Sequence, residues 1–144
     1  MAVYSIAQRT TVTTISAAAW EVRSAATNKP KVMELGIMLA AATASVYGVG
    51  RPAAIGITPT TPLTVLDEQD GNGPTGLTTS AVAWGTGPTV PTNFNRRVSL
   101  PATLGAGVIL TFPRGLGIPV SGSIVVWNIT TNSAATDLWC VVDE

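Results

Sequence analysis

Carboxylates are the residues with the widest chemical reach in this chain, and there are eight of them. Three, Asp67, Glu68 and Asp70, stand together ahead of Gly71-Asn72-Gly73. Carboxylates beside a glycine turn bind calcium when ligands recur at positions 1, 3, 5 and 12 of a loop. That spacing is absent, so the segment reads as a solvated turn. A glycosidase needs two carboxylates on facing sides of the scissile bond, and no spacing in the chain supports such a pair. Histidine is missing altogether, which removes the commonest general base, zinc ligand and pH switch. A serine, threonine or lysine nucleophile would have to rely on Lys29, Lys31 or a carboxylate as its base. The segments GVGRP at 48–52 and GLTTS at 76–80 lack both the GK[ST] ending of a phosphate loop and the helix that should follow it. Gly48 and Gly50 read instead as a bulge or tight bend. Cys140 is the sole cysteine, so no intrachain disulfide can form, and its place in the alternation Leu138–Cys140–Val142 points to a buried, inert thiol. The expectation is a chain that is not an enzyme and takes no cofactor and no metal.

The elements that would position any site are strands. Residues 96–128 hold three apolar runs, Val98–Leu100, Val108–Phe112 and Ile124–Ile129, the last ending one residue beyond. Pro101, Gly105, Gly107, Pro113, Gly115, Gly117, Pro119 and Gly122 break them. Each run has strand length and each break has turn chemistry. Upstream, Ala17–Ala26 puts Trp20 and Val22 inward and Glu21 and Arg23 outward, a period of two. Lys31–Thr43 alternates through Met33, Leu35, Ile37 and Leu39, and Gly36 would cost a helix about 1 kcal/mol, so a long central strand is expected there. Ser45–Gly50 is a short strand ended by Arg51-Pro52. Residues 52–76 form a long loop, with room for one helical turn over Leu63–Gln69. Strand character resumes at Thr78–Trp84 and closes with Asp137–Val142. Residues 1–16, with Val3, Tyr4, Ile6, Val12 and Ile15 among Thr and Ser, read as an extended arm or as first strands; residues 17–144 form the domain proper. Eight to ten short strands, no repeat of 20–50 residues and no long helices predict an all-β sandwich or barrel.

The surface carries few charges. At 144 residues the chain is one domain with room for a sizeable core. It is 46% apolar, but only 11% is charged, less than half of the usual ~25%. Eight basic residues cancel eight acidic ones, leaving no electrostatic footprint for nucleic acid or a lipid surface. The N-terminus MAVYSIAQRT has no basic start and no continuous apolar core. The weakly polar run Leu35–Ala44 is far short of the ~20 residues that span a bilayer. A soluble protein made in a cytoplasm is expected. Sparse charge at neutrality favours self-association, and strands apolar on both faces, Ile124–Ile129 and Leu138–Val142, are either sandwiched or lie at a subunit contact. Trp and Arg anchor interfaces, which makes Trp84, Phe94, Arg96 and Arg97 interface candidates, with core packing and solvated arginines as the alternative. Tyr4, Ile6 and Arg9 of the N-terminal segment and Arg51 complete the set.

The runs GRPAAIGITPTTP, AWGTGPTVPTNFNRRVSLPATLGAGVILTFPRGLGIP and SIVVWNITTNS, over roughly residues 17–144, resemble small jelly-roll proteins of tailed bacteriophages, the capsid decoration or cement proteins on the outer face of the head. The resemblance is one of strand pattern and phrase and carries no active-site motif. It implies a single antiparallel jelly-roll sandwich of about eight strands with an extended N-terminal arm, a place on the capsid exterior of the virion, and contacts with the major capsid protein. It also implies a homo-oligomer, a homotrimer before a dimer, whose arm reaches the capsid or a sister subunit. A carbohydrate- or receptor-binding module of a phage fibre or tail is the alternative.

Overall fold

The structure, a computed structural model, describes residues 2–11, 13–69, 71–130 and 133–144; Val12 of the N-terminal pattern and Asp70 of the acidic turn lie outside the described residues. Its elements are strands throughout: β1 (Val3–Thr10), β2 (Ala18–Arg23), β3 (Lys31–Leu39), β4 (Ser45–Gly50), β5 (Ile57–Pro59), β6 (Leu63–Thr64), β7 (Leu66–Asp67), β8 (Thr79–Ala81), β9 (Trp84–Thr86), β10 (Arg96–Leu100), β11 (Gly107–Gly117), β12 (Ser123–Asn128) and β13 (Thr136–Asp143). Two antiparallel sheets, β11-β3-β13-β1-β7 and β10-β4-β12-β2-β8-β6, pack face to face as a β-sandwich, and β5 and β9 form a separate ribbon.

Eight strands have five or more residues, and their pairing follows one rule. The first of them pairs with the last, β1 with β13. The second pairs with the seventh, β2 with β12. The third pairs with the sixth, β3 with β11, and β4 pairs with β10. The chain is one long antiparallel ribbon wound on itself, with successive pairs falling alternately in the two sheets. Period-two alternation makes this work, because every long strand has an apolar set to turn inward. Tyr4 and Ile6, Trp20 and Val22, Leu35 and Ile37, Tyr47 and Val49, Ile124 and Val126, and Leu138, Cys140 and Val142 meet between the sheets, all nearly inaccessible. Burial pushes the Cys140 thiol pKa far up, in keeping with an inert thiol.

Several expectations are corrected. The N-terminal segment is no arm: Val3–Thr10 lies between β13 and β7, in register from Val3↔Asp143 to Thr10↔Thr136. Pro113 and Gly115 do not end their strand. β11 runs through them with a register shift between Thr111 and Leu116, which is tolerated because β11 is an edge strand and Pro113 lies inside that irregularity; Gly115 meets the irregularity with φ of 70°. Leu63–Gln69 forms no helical turn. Leu63–Thr64 pairs with β8 in one sheet and Leu66–Asp67 with β1 in the other, so the chain crosses between sheets at buried Val65.

The β5–β9 ribbon and the segments around it, residues 51–62 and 82–95, add a partial third layer. Glu21 and Arg23 do face away from the main core, as their spacing requires, yet Glu21 is wholly inaccessible. Its Oε1 accepts from Gly56 N–H at 3.1 Å and from Ser123 Oγ at 2.6 Å, and its Oε2 accepts from Trp84 Nε1 at 2.7 Å. Arg23 Nη1 lies 3.8 Å from the same carboxylate and donates to Gly56 O at 2.9 Å. A charged group can stay buried when all its partners are in place; here that bonding pins the β5–β9 layer to the sheet. Phe94 closes the other half, its ring lying where a side chain at Gly48 would go. The outward residues of β12, Val125 and Trp127, are therefore buried within one chain.

Candidate functional site

The outer face of the five-stranded sheet has no such cover. Its residues come from four strands in register. One row reads Ile109, Gly36, Trp139, Ala7 across β11, β3, β13 and β1; the next reads Thr111, Glu34, Val141, Ser5; and on the other side stand Gly107, Met38, Asp137, Arg9. Ile109 is 52% exposed and Met38 39%. Trp139 lies flat because Gly36, its cross-strand neighbour, has no side chain: a Cβ there would run into the indole. Its Nε1 donates to Glu34 Oε1 at 3.2 Å. The face is a shallow apolar stripe, Met38, Ile109, Trp139 and Val141, framed by charges. At its end Arg9 holds Asp137 through two bonds, Nε–H to Oδ1 at 2.6 Å and Nη2–H to Oδ2 at 2.7 Å. That fork holds the Asp137 carboxyl below the usual carboxylate range.

A second surface lies on the flank where β10 and β11, outermost strands of their sheets, come together. Arg51, Arg96, Arg97 and Arg114 are all exposed there. Arg96 stacks over Phe112, 5.5 Å from its ring centre, and Arg97 over Phe94 at 6.0 Å. Arg51 Nη2 donates to Gly117 O at 2.7 Å. Asn95, Arg96 and Phe112–Leu116 enclose an open groove of ≈ 430 Å³. Among the described residues the ion pairs are Arg9–Asp137 and Arg23–Glu21, so none of these four guanidiniums faces a carboxylate of its own chain.

The opposite flank, where β6 and β7 are outermost, is acidic. Exposed Glu68 follows Asp67, whose oxygens accept from Gln69 and Gly73 N–H groups at 2.9 and 2.8 Å. Glu144 accepts from Leu77 and Thr78 N–H groups at 2.9 and 2.7 Å. Desolvation first, then the charges of Glu144 and Asp67, raise the Tyr4 phenol above its ordinary pKa.

The residues singled out from the sequence divide accordingly. Arg51, Arg96, Arg97 and half-buried Phe94 gather on the basic flank. Arg9 is exposed on the open face, bonded to Asp137. Trp84 is half-buried and engaged with Glu21. Tyr4 and Ile6, 3% and 4% exposed, are committed to the chain's own core and leave no surface for a partner. Sequence reasoning missed Met38, Ile109 and Arg114. The first two join Trp139 only through the pairing of strands about a hundred residues apart, a relation no local pattern encodes. No group of three or more metal-ligating side chains occurs among the described residues, and no described helix is long and apolar enough to cross a membrane. Compared with protein-family models, with curated proteins and with solved structures, the chain matches none.

Proposed function

We propose that the chain is a structural protein of a tailed-phage virion, a cement subunit that binds the outer face of the head and holds neighbouring major capsid subunits and its own sister copies together. The observation that carries the reading is the uncovered face of the five-stranded sheet. The wound ribbon, with its pairs 1–8, 2–7, 3–6 and 4–5, supports the jelly-roll reading. Strands ~4.8 Å apart with ~3.4 Å per residue give the open stripe a footprint of roughly 300 Å². That lies within the ~300–600 Å² of the largest apolar patch on an ordinary monomer, and it is well below the ~800 Å² per partner of a standard stable interface. A contact of that size is weak singly and effective when many copies engage a repeating scaffold. A lattice of identical capsid subunits is such a scaffold.

The test is co-sedimentation of the full chain with emptied, expanded heads of the phage that encodes it, from which the chain has been stripped. Wild type should pellet at saturating stoichiometry, and M38E/I109E, altered only at exposed positions, should lose about tenfold or more in apparent affinity. Heads that fail to retain wild type, or that retain M38E/I109E equally well, would overturn the assignment. Hits on a glycan array with no head binding would turn it toward a receptor-binding module.

A further inference from the structure

The two flanks of the sandwich are complementary to each other and cannot meet within one molecule. One carries Arg96 and Arg114 on a groove lined also by Phe112, Pro113 and Leu116, with Arg51 and Arg97 exposed nearby. The other carries Asp67, Glu68 and Glu144 and, standing out from them, Leu66, the most exposed large apolar residue described at 71%. β11 and β7 are the two ends of the same five-stranded sheet, so the flanks lie about 19 Å apart at ~4.8 Å per strand spacing. Leu66 pairs with Ser5, so the apolar knob stands on the open-face side of this edge strand, beside the carboxylates. An apolar groove rimmed by guanidiniums opens on the other edge.

We propose that the chain binds a second copy of itself head to tail, the Leu66–Glu68 edge of one copy seating in the Arg96–Phe112–Arg114 groove of the next. This deepens the self-association part of the reading above but rests only on the shapes and charges of the two flanks, with no capsid involved. A symmetric contact of basic flank on basic flank would set arginines against arginines with no carboxylate between them. Acidic flank on acidic flank fails likewise. Matching unlike flanks sets the groove guanidiniums of Arg96 and Arg114 against the acidic edge of the next copy. Because the surfaces used are different, the contact is heterologous, and it generates a closed ring where the rotation between copies permits and an open string where it does not.

The test is sedimentation velocity on the purified full chain and two flank variants. R96E/R114E reverses the groove, and L66S/E68R removes the knob and its free carboxylate while sparing Asp67, which the local turn uses. Wild type should associate at about 50 mM salt and weaken by tenfold or more at about 500 mM, where screening is short-ranged. Each variant alone should be monomeric. Mixed in equal amounts, each still owns one intact flank, so the mixture should associate where neither variant does alone. Circular dichroism checks that the sandwich survives; should R96E/R114E unfold, R114E, changed at an exposed position with no partner to lose, takes its place. A monomeric wild type at low salt, a mixture that stays monomeric, or variants that each assemble alone would overturn the proposal. Loss of head binding with this behaviour intact would refute the capsid assignment and leave the head-to-tail contact standing.

Discussion

Removing the Glu21 carboxylate should release the β5–β9 layer from the six-stranded sheet. In Glu21→Ala, Gly56 N–H, Ser123 Oγ–H and Trp84 Nε1–H all lose their acceptor. A buried donor left unpaired costs about 1–3 kcal/mol, and a space opens where the side chain stood. Partial relaxation and water entry reduce the sum, so about 3–5 kcal/mol is expected, a third or more of the ~5–15 kcal/mol that holds a domain together. Glu21→Gln keeps the volume and should cost less, about 1–2 kcal/mol, because its amide can still accept on one side but presents N–H to the Trp84 N–H on the other. Urea unfolding followed by tryptophan fluorescence and far-UV circular dichroism measures both. A double-mutant cycle with Trp84→Phe isolates the Trp84 bond and should return a coupling of about 1 kcal/mol or more. Hydrogen exchange adds a local readout: the Gly56 amide should lose protection well before the amides of β12. If Glu21→Ala lies within about 1 kcal/mol of wild type and Gly56 stays protected, the buried carboxylate does not hold the layer and the reasoning fails.

Gly36→Ala gives a second check. In most central strands the change would be neutral or helpful, but here the new methyl meets the Trp139 indole, so a loss of about 1–3 kcal/mol is expected; in a Trp139→Ala background the same change should cost little, as thermal unfolding of the four proteins would show. The Arg9–Asp137 pair gives a third. With the folded carboxyl pKa depressed, its stabilisation is present above the ordinary carboxylate pKa and disappears as pH falls through the lower folded value. Both groups are solvent-exposed, so the effect on stability is small, while the Asp137 carboxyl carbon followed by NMR should titrate below the usual range and return to it in Arg9→Ala; an unmoved titration would remove the pair as the cause.

What the sequence disclosed and what it withheld follow from which interactions are local. Ser45–Gly50 was legible to the residue because the Arg51-Pro52 stop adjoins it; the strand read over Lys31–Thr43 is present because its alternation outweighs the helix propensity of Met, Glu and Leu, but it ends at Leu39. Alternation also assigned Glu21 to the outward set. It could not say that residues 51–62 and 82–95 would return across that face, and so a residue marked for solvent became the most completely enclosed charge described. Pro113 misled for a related reason: proline ends a central strand and is harmless on an edge, and whether β11 is an edge depends on the whole sheet. The alternation of Val3–Thr10 is the same for a reaching arm and a paired strand. Of the surfaces, single arginines were visible as exposed cations, but their convergence with Arg114 waits on how β10 and β11 align, and the open face waits on register.

The position of β13 has a kinetic consequence. It is made last and lies between β3 and β1, pairing Ile37 with Leu138 on one side and Ile6 with Cys140 on the other. Until Asp143 has left the ribosome, two long strands face each other across a gap one strand wide, with their ladders unsatisfied. At ~5–20 residues per second that exposure lasts on the order of 10 s. Pairings that join the far ends of a chain are also the slow ones to find. Closure of the five-stranded sheet therefore waits on Thr136–Asp143, and a nascent chain stalled before Thr136 is an open template for joining with its neighbours on the same polysome.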